Sequence, residues 1–161
     1  MAACGYLSTE RSNVVTETLA ERFARAHGAP QELDGLIVHT MWRRQVAAGK
    51  RVLLRRLRQV PDPVQGVRVK LNGGTVTVNA RELPDVVLWA DTSPAEVTLT
   101  CNKDGELRVW NCWRDPQGTM QAWIGNAGLL VDVSDTSVTL KCSDGKGQFS
   151  PTDLEVEMCL L

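Results

Sequence analysis

The 161-residue chain is 43% hydrophobic and 23% charged, the composition of a globular protein of one domain, 1–161, that buries roughly two thirds of the surface its unfolded form exposes. No apolar run approaches the ~18 residues of a membrane span, which argues against a membrane partner, and MAACGYLSTERSNVV has neither the basic nor the apolar region of a secretory signal. The net charge of −1 conceals an imbalance: residues 1–60 stand at +5 and residues 61–161 at −6, so a basic half either attracts an acidic one or faces an anionic partner.

From Ser12 to His27 the apolar residues Val15, Leu19, Phe23 and Ala26 recur at helical spacing, with Gly28 following as the C′ residue. Pro30 suits the first position of a second helix running to Gly49, with Glu32 and Asp34 near its positive end. On that helix Leu33, Leu36, Ile37, Thr40, Met41 and Ala48 form one stripe. Val38, Trp42 and Val46 form another, which meets the sheet or, in the competing reading, a second copy in a homodimer. In KRVLLRRLRQV, residues 50–60, alternation of Val52, Leu54, Arg56 and Arg58 favours a strand leading into the sheet over a helix grouping Leu53, Leu54 and Leu57.

Past Pro61 and Pro63 the spacing changes to short alternating runs separated by turn signals, the pattern of antiparallel β-structure. An Asn72-Gly73 turn pairs Val69 with Val76 and Val67 with Val78. A bulged turn over Lys103, Asp104 and Gly105 pairs Cys101 with Leu107, Leu99 with Val109 and Val97 with Asn111, which puts Cys112 on the face opposite Cys101 and forbids a disulfide between them. DPQG at 115–118 repeats that turn. It pairs Trp113 with Gln121 and Asn111 with Trp123 on one face, and Cys112 with Ala122 and Trp110 with Ile124 on the other. A turn at Ser134-Asp135 sets Val131 opposite Val138 and Leu129 opposite Leu140, and DLEVEMCLL supplies a last edge strand. Large apolar groups on both faces of the strand holding Trp110 and Trp113 require cover on each side. The expected fold is α+β: two N-terminal helices packed on an antiparallel β-sandwich or flattened barrel built of consecutive hairpins.

The sequence holds no GxSxG, P-loop, GxGxxG or HExxH motif, and SDGKGQ at 143–148 lacks the following helix that would make it a phosphate loop. Five cysteines (Cys4, Cys101, Cys112, Cys142, Cys159) without a CxxC pair, and only two histidines, favour reduced thiols, a cytoplasmic location and no metal or cofactor. Three site readings follow. The first is a binding surface on which Asn111, Trp113, Gln121 and Trp123 form a checkerboard of indoles and amides, with Arg114, Asp115 and Asn126 beside it, for a polar small molecule, a sugar or a peptide. Its rival is that this face, continuous with Leu107 and Val109, is the end of a core. The second is an enzyme that uses His39 or Asp115 as acid or base in a β pocket. The third is anion or nucleic-acid binding by Arg43, Arg44, Lys50, Arg51, Arg55, Arg56 and Arg58, seven positive charges with no acid between Asp34 and Asp62. Of these, a non-catalytic intracellular binding or interaction module is the favoured reading.

Overall fold

A computed structural model describes residues 17–161, and it is almost wholly antiparallel β. Its one described helix, α1 (Leu19–Arg25), begins at a capping box in which Thr18 and Glu21 satisfy each other's backbone N–H groups. It ends in a Schellman motif, Gly28 N–H donating to Phe23 O (2.8 Å) and His27 N–H to Ala24 O (3.3 Å). The left-handed C′ position, at φ 54°, belongs to His27 rather than to Gly28. The part of the expected helix before residue 17 lies outside the described residues.

The expected second helix does not form. Asp34 and Gly35, with φ of 52° and 82°, make a two-residue turn of the I′ kind between β1 (Gln31–Leu33) and β2 (Leu36–Val38), and I′ geometry matches the twist of paired strands. Trp42 and Val46 then lie on β3 (Trp42–Val46), both turned inward. Their spacing of four places them on one face of a strand as readily as on one face of a helix, so periodicity alone misassigned them. Trp42 is buried in the chain's own core, so the second stripe does not exist as a helical face. With one short described helix in place of two, the α+β expectation gives way, among the described residues, to mostly antiparallel β-structure.

The remaining strands are β4 (Arg51–Gln59), β5 (Gln65–Asn72), β6 (Val76–Val78), β7 (Arg81–Leu83), β8 (Asp85–Trp89), β9 (Glu96–Cys101), β10 (Gly105–Arg114), β11 (Met120–Gln121), β12 (Gly128–Val133), β13 (Val138–Ser143) and β14 (Leu154–Leu160). They build two sheets. One runs β11-β10-β5-β8 with β3 also on β10, and the other runs β12-β13-β14-β4-β9-β6-β7. Val67, Val69, Leu71, Leu107 and Val109 from the first meet Val52, Leu54, Val76, Leu99, Leu140 and Met158 from the second in one continuous core. Segment 50–60 is a strand, as alternation favoured.

Two expected hairpins are corrected. The chain turns at Gly73, yet β5 pairs with β10 and β8 while β6 pairs with β9 and β7. Likewise β9 pairs with β4 and β6, not with β10. Alternation dictates which side chains point inward, and two strands satisfy it equally well side by side or facing across a core. Asn102 fixes the outcome at one corner: its amide donates to the Thr75 and Thr77 hydroxyls (3.0 and 2.9 Å), tying the end of β9 to β6. The β12–β13 hairpin forms two residues out of the expected register, with Val133 opposite Val138 and Val131 opposite Leu140, which preserves the inward face. β14, expected at an edge, is held between β13 and β4.

Cys101, Cys112, Cys142 and Cys159 are free thiols. Cys101 and Cys112 do stay apart, because their strands lie in different sheets. Burial pushes the Cys112 thiol up to about 12, against a smaller opposing effect of the Arg68 charge, and also raises Cys101 and Cys142. Since the thiolate is the reactive species, Cys112 holds only about one part in ten thousand of it at pH 8. Iodoacetamide at pH 8 is therefore expected to label Cys159 in the native protein and to spare these three until denaturant is added, which peptide mapping by mass spectrometry reads directly.

Candidate functional site

The DPQG turn forms as its sequence demands. Asp115 N–H donates to Thr119 O and Gly118 N–H to Asp115 O (both 2.9 Å), with Gly118 at φ 83° in the bulge position. The Asp115 carboxylate accepts from the backbone N–H of Gln117 (3.0 Å) and Thr119 (2.8 Å) and from the Gln121 amide (3.0 Å). These bonds, the one from Thr119 foremost, hold its pKa below the usual aspartate value. A carboxylate so fully engaged braces a turn and is a poor proton shuttle.

Trp113 pairs with Gln121 as expected, but β11 stops there and the checkerboard does not extend to Trp123. Trp123 takes a left-handed φ of 59° and leaves the strand. Its ring stacks on Trp110 at 5.0 Å, and its indole N–H donates to Thr40 O (3.0 Å). Trp110 therefore meets Trp123 rather than Ile124, and Trp123 crosses to the face opposite Asn111. Asn111 is buried, its amide donating to Ser143 O (2.9 Å). Trp113 is only 2% exposed, because the loop after β13 lies across it. A Cβ at Gly145 would come within 2.6 Å of both Trp113 Cζ2 and Ile124 O, so that loop packs this closely only with glycine there. Asn111 and Trp113 are thus core, as the rival reading held. Asn126 is a tie, accepting from Leu19 N–H (3.1 Å) and donating to Gly147 O (2.8 Å).

The cover required on the outer face of β10 comes from side chains instead of helices. Arg68 sits 5.6 Å from the Trp110 ring, and Trp89 lies over Gly66, where a Cβ would approach its ring to 2.6 Å and the Cys112 sulfur to 3.1 Å. Arg114 stacks on Trp89 at 4.6 Å and pairs with Asp91.

Where these elements end, a cleft of about 770 Å³ opens. It gathers Trp113, Arg114, Asp115 and Gln121 from the expected site and adds Asp62, Pro63, Val64, Pro116, Ile124 and Lys146. Arg114 N–H bonds Val64 O (3.0 Å), which fixes the 62–64 wall, and Lys146 N–H bonds the buried Asp144 carboxylate (2.9 Å), which fixes the opposite wall. The Lys146 ammonium forms no ion pair among the described residues. Sequence reasoning set SDGKGQ aside for want of a following helix; its lysine and glycines were nonetheless the available signal.

His39 occupies a separate cleft, and burial alone lowers its pKa, with no carboxylate contributing. The acid or hydroxyl partner that a general base needs is missing among the described residues. The basic segment is divided between sheets. Arg43 and Arg44 stand exposed on β3, Lys50 precedes β4, and Arg51 lies at its start. Arg55 pairs with Glu96 (3.2 Å) and Glu157 (3.5 Å), Arg56 donates to Ser93 O (3.3 Å), and Arg58 stands in register with Glu155. Of the seven, Arg55 alone forms ion pairs among the described residues, with two carboxylates of the acidic half. Among the described residues no helix is long and apolar enough to cross a membrane, and no cluster of three or more His, Cys, Asp or Glu residues could hold a metal ion. Comparison with protein-family models, with curated proteins and with solved structures finds no match for this chain.

Proposed function

We propose that this protein is a non-catalytic binding module whose ligand is a short peptide end or similar small polar molecule, seated in the cleft between the DPQG turn and the 62–64 wall. The observation that carries this reading is the lining. Pro63, Pro116, Ile124 and the edge of Trp113 supply an apolar wall, while Lys146 supplies a cation without an ion-pair partner among the described residues. A volume of about 770 Å³ is that of a small-ligand site. Arg114 is engaged by Asp91 and Trp89, and Asp115 by its turn, so both shape the cleft while Lys146 and the Gln121 carbonyl face the ligand. The free thiols of Cys101, Cys112, Cys142 and Cys159 support a reducing compartment, and a cytoplasmic location is part of this proposal.

Tripeptides with an apolar final residue, carrying either a free or an amidated C-terminus, test this in an amide-resolved NMR titration. Free-carboxylate peptides are expected to shift the amides of Val64, Gly118, Gln121 and Lys146 together. Amidation or Lys146→Ala is expected to weaken binding about tenfold, the scale of one charge-assisted hydrogen bond. Millimolar peptide that moves none of these amides, or moves them equally when amidated, overturns the reading.

A further inference from the structure

A second cleft, of about 600 Å³, lies between the end of α1, the segment from β2 into β3, and Val131 of β12. Both described histidines and Arg43 line it, and no acidic residue does among the described residues. The rest of its wall is apolar or neutral, chiefly Pro30, Met41 and Trp42.

Each basic group rides on a fixed backbone. His39 exchanges two hydrogen bonds with Leu129, N–H to O at 2.8 Å and O from N–H at 2.9 Å. Thr40 is held by the Trp123 indole at 3.0 Å. Arg43 sits on β3 in register with Arg108. His27 is set by the Schellman closure of α1, in a left-handed conformation that a residue other than glycine adopts at a cost. Three cationic or protonatable groups thus line one cleft on rigid supports, with no acidic side chain among the described residues that line it, and such a lining suits an oxyanion.

We propose that this cleft binds a small organic oxyanion, its phosphate or carboxylate group held by His27, His39 and Arg43 and its flat or apolar body lying on Pro30 and Met41. The site is separate from the Lys146 cleft. Binding tightens as pH falls, because a protonated imidazole donates from both nitrogens and adds charge. The charged or titratable side chains that line the cleft among the described residues are His27 from the end of α1 and His39 and Arg43 from the 39–43 segment, while β12 contributes the uncharged Val131. Burial holds His39 below the ordinary histidine value in the free protein, so an anion that favours its charged form raises it on binding.

The test is an NMR titration of the His27 and His39 ring protons in the full chain with phenyl phosphate, inorganic phosphate and benzoate at pH 6.0 and pH 7.5. Saturable shifts of both rings are expected, tightest for phenyl phosphate; the pH dependence is read with benzoate, which stays ionised across this window whereas a phosphate monoester loses charge near pH 6, and benzoate binding is expected to be about fivefold stronger at pH 6.0. Arg43→Gln is expected to weaken binding about tenfold, and Lys146→Ala to leave it unchanged. His39→Gln should remove most of the pH dependence while the chain still melts cooperatively. Non-saturating shifts at millimolar phenyl phosphate, or binding insensitive to both Arg43→Gln and pH, would overturn the proposal. Binding lost with Lys146→Ala would move the anion to the other cleft and refute it equally.

Discussion

A chain ending at Asp153 is expected to lose cooperative folding. The missing residues would include β14, which is hydrogen-bonded to β13 on one side and to β4 on the other. Leu154, Val156 and Met158 on its inner face are almost wholly buried, and each such side chain stabilises the fold by about 1.5–3 kcal/mol through transfer from water. Against a typical total of roughly 5–15 kcal/mol, their loss alone consumes most of the margin. The truncation also divides the seven-stranded sheet and exposes two long strand edges, which template aggregation. Circular dichroism melts and soluble yield give the measurement. A cooperative transition within about 10 °C of the full chain would show that β14 is as expendable as an edge strand.

Trp113→Ala is expected to cost about 3–5 kcal/mol, the range for removing a buried aromatic ring that its surroundings cannot refill. The ring is closed over by the loop at Gly145 and flanked by the buried Asn111 to Ser143 bond, so collapse of the cavity would break polar contacts as well. Trp123, 44% exposed although it stacks on Trp110, makes the comparison: Trp123→Ala is expected to cost only about 1 kcal/mol. Urea unfolding of the two variants beside the parent protein measures both. A Trp113 variant no less stable than the Trp123 variant would mean that the ring stands free in the cleft rather than in the core.

The physical difference between these two tryptophans was only half legible. The residues Asp115, Pro116 and Gly118 carry their own turn chemistry, so the bulged turn and the Trp113–Gln121 pair could be read from neighbours a few positions apart. Continuing the ladder to Asn111 and Trp123 assumed that β11 goes on past Gln121. It stops because Trp123 gains a stacking partner in Trp110 and an acceptor in Thr40 O, and Thr40 lies 83 positions away in the chain. Lys146 and Pro63 entered the cleft for the same reason: they arrive from distant segments, and no local spacing announces them.

The sequence by itself determined the elements whose causes are local: the end of α1 near Gly28, the strand at 51–59, the alternation that sends Leu99, Cys101, Leu107 and Val109 inward, and the DPQG turn. It also contained the Asp34-Gly35 pair that forms a turn where a second helix was expected, a pair to which the helical spacing of Val38, Trp42 and Val46 gave no place. Strand neighbours beyond the local β10–β11 and β12–β13 hairpins were decided by the tertiary structure. A period of two states which face is buried, and burial is satisfied whether two strands lie side by side or face each other across a core. The choice rests on contacts such as those of Asn102 with Thr75 and Thr77 and of β14 with β4, which exist only once the sheets have met.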